Sequence, residues 1–158
     1  MNTPQAWAEH QAEEYSTVGF GQSHNSLVKH SPRVENFVLG LAKHFPTLPE
    51  RQRTIVLDVG CCDGGLVRHL VRDGYRAVGI DLPPVIKRAL AEIPGAPLFA
   101  HNIESLSVAD IVSICGGRQP HLIHLGEIIE HLVEDYRVLK TLFDALPASI
   151  ADFHYLGV

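Results

Sequence analysis

A run of apolar, largely β-branched residues that carries a carboxylate near its end and passes straight into closely spaced glycines constrains this chain most. It is Thr54 to Gly65, TIVLDVGCCDGG. Ile55, Val56, Leu57 and Val59 read as one strand covered on both faces, the pattern of a parallel strand sandwiched between helices. Asp58 is set into the end of that strand. Gly60, Gly64 and Gly65 make a turn that opens a helix over about Leu66 to Arg72. Glycines there let the main chain come close to a ligand, and the free N–H groups of the new helix point at the same place. A strand, a glycine turn and a helix in this order bring backbone up to a nucleotide-like ligand.

The remaining elements can be placed around this turn. Upstream, Thr3 and Pro4 start a short helix that runs to about Tyr15. Ser16 to Ser26 is loop-like. A second helix is expected from about Pro32 to His44, with Val34, Phe37, Val38 and Leu41 at helical spacing. Downstream, Gly74 closes the helix that follows the turn, and Ala77 to Asp81 is a second strand. Pro83 and Pro84 begin a helix, Val85 to Ile93, and Pro97 to Ala100 is a short third strand. Ser105 to Cys115 is expected to be helical, stopping at Gly116 and Gly117, and His121 to Leu125 is a fourth strand. Glu127 to Leu146 is expected to be mostly helical, with a possible break near Glu134 and Asp135. Ile150 to Leu156 reads as a fifth strand. Strands alternating with helices imply an α/β, Rossmann-like, doubly wound and mostly parallel sheet in a three-layer sandwich. Residues 1–50 are expected to form an N-terminal helical lid segment and residues 51–158 the ligand-binding core.

Composition sets the outer bounds. The chain has 158 residues, is 46% hydrophobic and 20% charged, and carries a net charge of −5. Disorder is excluded by the apolar content, and the acidic balance argues against nucleic acid as a partner. Arg68, Arg72, Arg76, Lys87 and Arg88 read as solvated helix faces. Three cysteines, two of them adjacent (Cys61 and Cys62), fit free thiols in a reducing compartment. The polar, acidic N-terminus is no targeting peptide, and no apolar run is long enough to span a bilayer. A cytoplasmic protein is the expectation.

In a doubly wound sheet the ligand lies beyond the carboxyl ends of the strands, beside the first one. Asp81 ends the second strand, where an acidic group meets ribose hydroxyls. Asn102 follows the third strand, where an amide can meet the edge of a base. With these in view, VLDVGCCDGG at 56–65 resembles motif I of the class I S-adenosylmethionine-dependent methyltransferases. GIDLP at 79–83 is similar to their acidic second-strand end, and GEIIEHL at 126–132 to their fourth-strand segment. The resemblance covers about Thr54 to Leu146. It implies that S-adenosylmethionine is the cofactor, held by Asp58, Gly60, Cys61, Cys62, Gly64, Asp81, Leu82, Asn102, Ile103 and Gly126. It also implies methyl transfer to an acceptor, expected to be a small molecule. A nicotinamide-dinucleotide fold is the competing reading, because Gly60, Cys62 and Gly65 roughly mimic G-x-G-x-x-G. Against it stand Asp58, where dinucleotide folds carry an apolar residue, and the GEIIEHL segment.

Three departures from the family pattern matter. Cys62 replaces the middle glycine of the turn, which a small side chain tolerates with a negative φ. Asn102 stands where an aspartate is common. The family fold continues through two further strands after the fifth, so the core is expected to be incomplete at its C-terminus. An open sheet edge would then favour a homodimer. A catalytically inactive cofactor-binding or interaction module is the alternative function.

Glu127, Glu130 and His131 form an E-x-x-E-H cluster, which at helical spacing shares one face. A similar cluster holds a metal in small-RNA end methyltransferases, so these three are the candidate ligands, although no metal is the expectation. Glu127 and His131 are also the candidate general bases. His121 and His124 are expected to be packing or solvent groups, and Cys61 and Cys62 small turn residues.

Overall fold

The computed structural model describes residue 40, residues 50–126 and residues 128–148. The apolar run becomes strand β1 (Ile55–Val59), buried along its whole length. It pairs in parallel with β2 (Arg76–Asp81) on one side and β4 (Leu122–Leu125) on the other, and β3 (Leu98–Ala100) adds in parallel to β2. The sheet order is β3-β2-β1-β4, so the chain reverses its direction of winding at β1. Parallel neighbours need crossovers, and helices supply them. Helix α1 (Gly65–Arg72) links β1 to β2, and α2 (Pro83–Glu92) links β2 to β3. Helix α3 (Val108–Ile114) leads to β4, and α4 (Asp135–Ala145) follows it.

Alternation along β1 divides the core into two layers. Val56 faces Leu66, Val67 and Leu70 of α1 and Ile86 and Ala89 of α2. Ile55, Leu57 and Val59 face Ile111 and Ile114 of α3 and Val138 and Leu142 of α4. Each such fully buried aliphatic side chain contributes about 1.5–3 kcal/mol, which is why the strand reads so clearly in sequence. Asp58 shares the parity of Val56 and is only 2% exposed.

Several expected boundaries move for local reasons. The expected helix 105–115 begins later: Ile103–Ser105 is a 3-10 turn capped by Asn102, and a capping box of Ser107 and Asp110 starts α3 at Val108. The expectation of a mostly helical 127–146 is corrected. Ile129–His131 is a 3-10 turn, and the α-helix starts only at Asp135, at the break expected there. Gly74, Gly116 and Gly117 all have positive φ where helices end. Of the expected helix 32–44 only Gly40 is described, and it is helical. Apart from Glu50, the remainder of the expected N-terminal lid lies outside the described residues, as do Glu127 and the expected fifth strand 150–156. No helix among the described residues is long and apolar enough to cross a membrane.

Candidate cofactor site

The carboxyl ends of β1 and β2 converge on the glycine turn. Gly60 (φ 75) and Gly64 (φ 74) both lie in the left-handed region. A Cβ on Gly60 would sit 2.8 Å from Ile128 Cδ1, and one on Gly64 would sit 2.9 Å from Leu98 Cδ1. Both positions therefore need glycine for space as well as for φ. The turn is tied down by its own backbone. Gly60 and Cys61 N–H groups donate to Ile80 O at 2.9 and 3.1 Å, and Gly64 N–H donates to Cys61 O at 2.8 Å. Asp63, 2% exposed, accepts from Gly65 N at 3.0 Å and sets the start of α1.

The two cysteines point to different places. Cys61 is fully buried, with Sγ 2.7 Å from where a Cβ on Gly79 would be. Burial pushes its thiol well above the usual range, helped by Asp58 and Asp81. Its side chain belongs to the core, and only its backbone faces the turn. Cys62 has φ 50, the one non-glycine with positive φ among the described residues. The condition for an unstrained side chain, a negative φ, is not met: the turn keeps its left-handed shape, and the cysteine takes the strain.

Asp81 locks the turn to β2. One carboxylate oxygen accepts from Cys62 N at 2.8 Å and the other from Leu82 N at 2.7 Å. Burial raises its carboxyl from 3.8 to about 6, against the lowering effect of these two N–H groups and with a smaller push from Asp58. Leu82 is the N-cap of α2, so Asp81 stands at the mouth of that helix. Beyond β3, Asn102 spends its Oδ1 on Glu104 N at 3.0 Å, and Ile103 packs against the α3/α4 layer.

On the other side of β1, Asp58 Oδ1 accepts from His124 Nδ1 at 2.8 Å, while Asp58 Oδ2 is buried without a partner. This corrects the reading of His124 as a packing or solvent group. A Cβ on Gly126 would lie 2.6 Å from His124 Cε1, so that glycine makes room for the ring. His121 does not reach this site. It sits at the amino end of the sheet, where its Nδ1 accepts from Ile55 N at 3.0 Å and burial lowers its pKa.

The segment after β4 is held by Glu104, a buried carboxylate that sequence reasoning missed. Its Oε1 accepts from Val133 N at 2.8 Å and Glu134 N at 2.9 Å, and Arg137 donates to its backbone oxygen. Its only signal in sequence was a charge beside a short strand, and such charges are usually solvated. Glu130 is exposed and His131 partly buried, both on the 3-10 turn rather than on a shared helical face. Among the described residues, which exclude Glu127, no group of side chains could hold a metal ion.

Comparisons with known proteins bear on the fold and the family. A TehB-like SAM-dependent methyltransferase from Corynebacterium glutamicum is 23% identical, with a TM-score of 0.50 over 75% of this chain and 70% of its own. The plantazolicin methyltransferase, solved with a triazolic desmethylPZN analog and SAH, is 17% identical, with a TM-score of 0.59 over 91% of this chain and 52% of its own. An amino pentose methyltransferase from Micromonospora echinaspora, involved in calicheamicin biosynthesis and solved with SAM, is 15% identical, with a TM-score of 0.56 over 93% of this chain and 53% of its own. This chain thus spans only about half the length of the last two. At these identities the likeness is one of fold. No curated protein sequence matches. The methyltransferase domain family matches residues 57–146, more than half of the chain and the stretch from within β1 to the end of α4. The chain belongs to that family: it is a methyltransferase domain with the class I fold.

Proposed function

We propose that this chain holds S-adenosylmethionine across the carboxyl ends of β1, β2 and β3 and transfers its methyl group to a small-molecule acceptor. The observation that carries the reading is Asp81, a carboxylate at the end of β2 bonded to the backbone of the glycine turn. Each of its oxygens accepts one N–H and has a further lone pair for a ribose hydroxyl. The rest of the cleft fits the same ligand. Gly60 and Gly64 leave no room for a Cβ, Cys62 holds the left-handed turn between them, and Asp58 has a buried oxygen lacking a partner. In this reading the turn from Gly60 to Gly64 carries the amino-acid part and Asp81 with Leu82 the ribose. Asn102 and Ile103 flank the base, and Gly126 borders the cleft beyond β4.

When bound, the cofactor supplies an electrophilic methyl on a sulfonium. The chain's own contribution is alignment and the exclusion of water, which can supply much of the rate. Glu127 and His131 are the residues proposed to take a proton from the acceptor. Acceptors of modest size are supported by two similar folds, one solved with a desmethylPZN analog and one acting on an amino pentose. The net charge of −5 gives nucleic acid no electrostatic hold. Self-association through a sheet edge and a cytoplasmic setting belong to the same proposal; light scattering tests the first.

Calorimetric titration with S-adenosylmethionine and S-adenosylhomocysteine tests the central claim. Binding of both, with methyl turnover on an acceptor panel, is the expected result. Binding without turnover on any acceptor would favour the inactive cofactor-binding module. Absence of binding would refute the site.

A further inference from the structure

Asp58 and His124 are directly opposite one another in the parallel pairing of β1 and β4. Neighbours in register on adjacent strands project to the same face, and here they meet as Nδ1 and Oδ1 at 2.8 Å. The carboxylate is 2% exposed and the imidazole 16%. Both sit on strands, so their placement is rigid. His124 is the one ion-pair partner of Asp58 among the described residues, and the carboxylate's second oxygen has none.

A buried charge is tolerated only where it is paired and hydrogen-bonded. We propose that His124 is a positioning residue for the amino-acid end of the cofactor. By donating from Nδ1 to Oδ1, it holds the carboxylate turned so that Oδ2 accepts from the ligand's ammonium group. Without that donor the carboxylate loses its fixed orientation towards the cation, so affinity falls. Gly126 serves the same end, because any side chain there would occupy the position of the ring. The inference rests on the cofactor reading above.

The test separates the two ends of the ligand. S-adenosylhomocysteine carries the ammonium group, whereas 5′-methylthioadenosine has the adenosine and no amino acid. Both are titrated calorimetrically into the full chain. His124→Leu should weaken S-adenosylhomocysteine about tenfold or more and leave 5′-methylthioadenosine within about twofold. His124→Asn keeps an N–H near the place of Nδ1 and should restore most of the loss. Gly126→Ala displaces the ring without removing it and should show the same split between ligands. Equal losses of both ligands in Gly126→Ala and His124→Leu would mean that the ring only supports the fold, and would overturn the proposal. Unchanged S-adenosylhomocysteine affinity in His124→Leu would overturn it as well. A wild-type chain that binds neither ligand would refute the cofactor reading and this proposal with it.

Discussion

Asp81→Asn probes the point where the turn, the second strand and the proposed ribose site meet. In the protein the two carboxylate oxygens accept from Cys62 N at 2.8 Å and from Leu82 N at 2.7 Å. Asparagine keeps one acceptor and sets an NH2 group against the other backbone N–H, so one of these bonds must break. A hydrogen bond to a charged group contributes about 1.5–3 kcal/mol. The opposing effect comes from burial, which holds the Asp81 carboxyl at about 6 instead of 3.8. At pH 7 the folded chain therefore carries an ionised group that is better solvated when unfolded. At ~1.4 kcal/mol per pH unit that costs on the order of 3 kcal/mol, and asparagine removes it. The value of about 6 already includes the lowering by the two N–H groups, so asparagine should leave the unfolding free energy level or raise it, by no more than about 3 kcal/mol at pH 7. Cofactor affinity has no such offset. Hydroxyls that lose a carboxylate acceptor should lower it roughly ten- to hundredfold. Denaturant unfolding and calorimetry with S-adenosylhomocysteine on the same variant read the two quantities separately. A variant of normal stability and normal affinity would refute the assignment of Asp81.

Three further outcomes follow from the same geometry. Because the Asp81 carboxyl sits near 6 and hydroxyl donors favour its ionised form, affinity should rise with pH through about 6 and fall below it by up to about tenfold per pH unit. The effect of this carboxyl on fold stability runs the other way: its folded value is raised, so stability is greatest below about 3.8, declines as pH rises to about 6 and is level above. Titrations across that range, with Asp81→Asn as the flat control, check both signs. Cys62→Gly should relieve a left-handed cost of roughly 1–2 kcal/mol, offset by about 0.5–1 kcal/mol of added chain entropy. Its melting temperature should therefore stay level or rise slightly with affinity kept; a clear fall in either would give the cysteine another role. Glu104→Leu strips Val133 N and Glu134 N of their acceptor and should cost about 2–4 kcal/mol in denaturant unfolding, whereas Glu104→Gln should recover most of it. Equal stabilities for the two would show that the carboxyl oxygen is not what holds this segment.

The alternating fold and the place of its site were already present in the order of residues from Thr54 to Leu125. A β-branched run ahead of glycines, and prolines at the start of α2, act through local sterics and burial, which operate on neighbours in sequence. For the same reason Asp81 and the turn could be paired from their positions at successive strand ends. The segment after β4 misled because its apolar spacing suits a helix. What decides it is Glu104 on another loop, which binds Val133 and Glu134 N–H groups and delays α4 to Asp135. Cys62 misled in a related way. A cysteine prefers negative φ, but the hydrogen bond from its N–H to Asp81 and the left-handed glycines on either side impose φ 50. His124 carried no local signal at all. Only the register of β1 on β4, set by sheet packing across 66 residues of chain, puts its imidazole against Asp58. Periodicity and glycine placement are properties of short stretches and survive without a fold. Register, burial of a carboxylate and the partner of a histidine come into being only when distant strands meet.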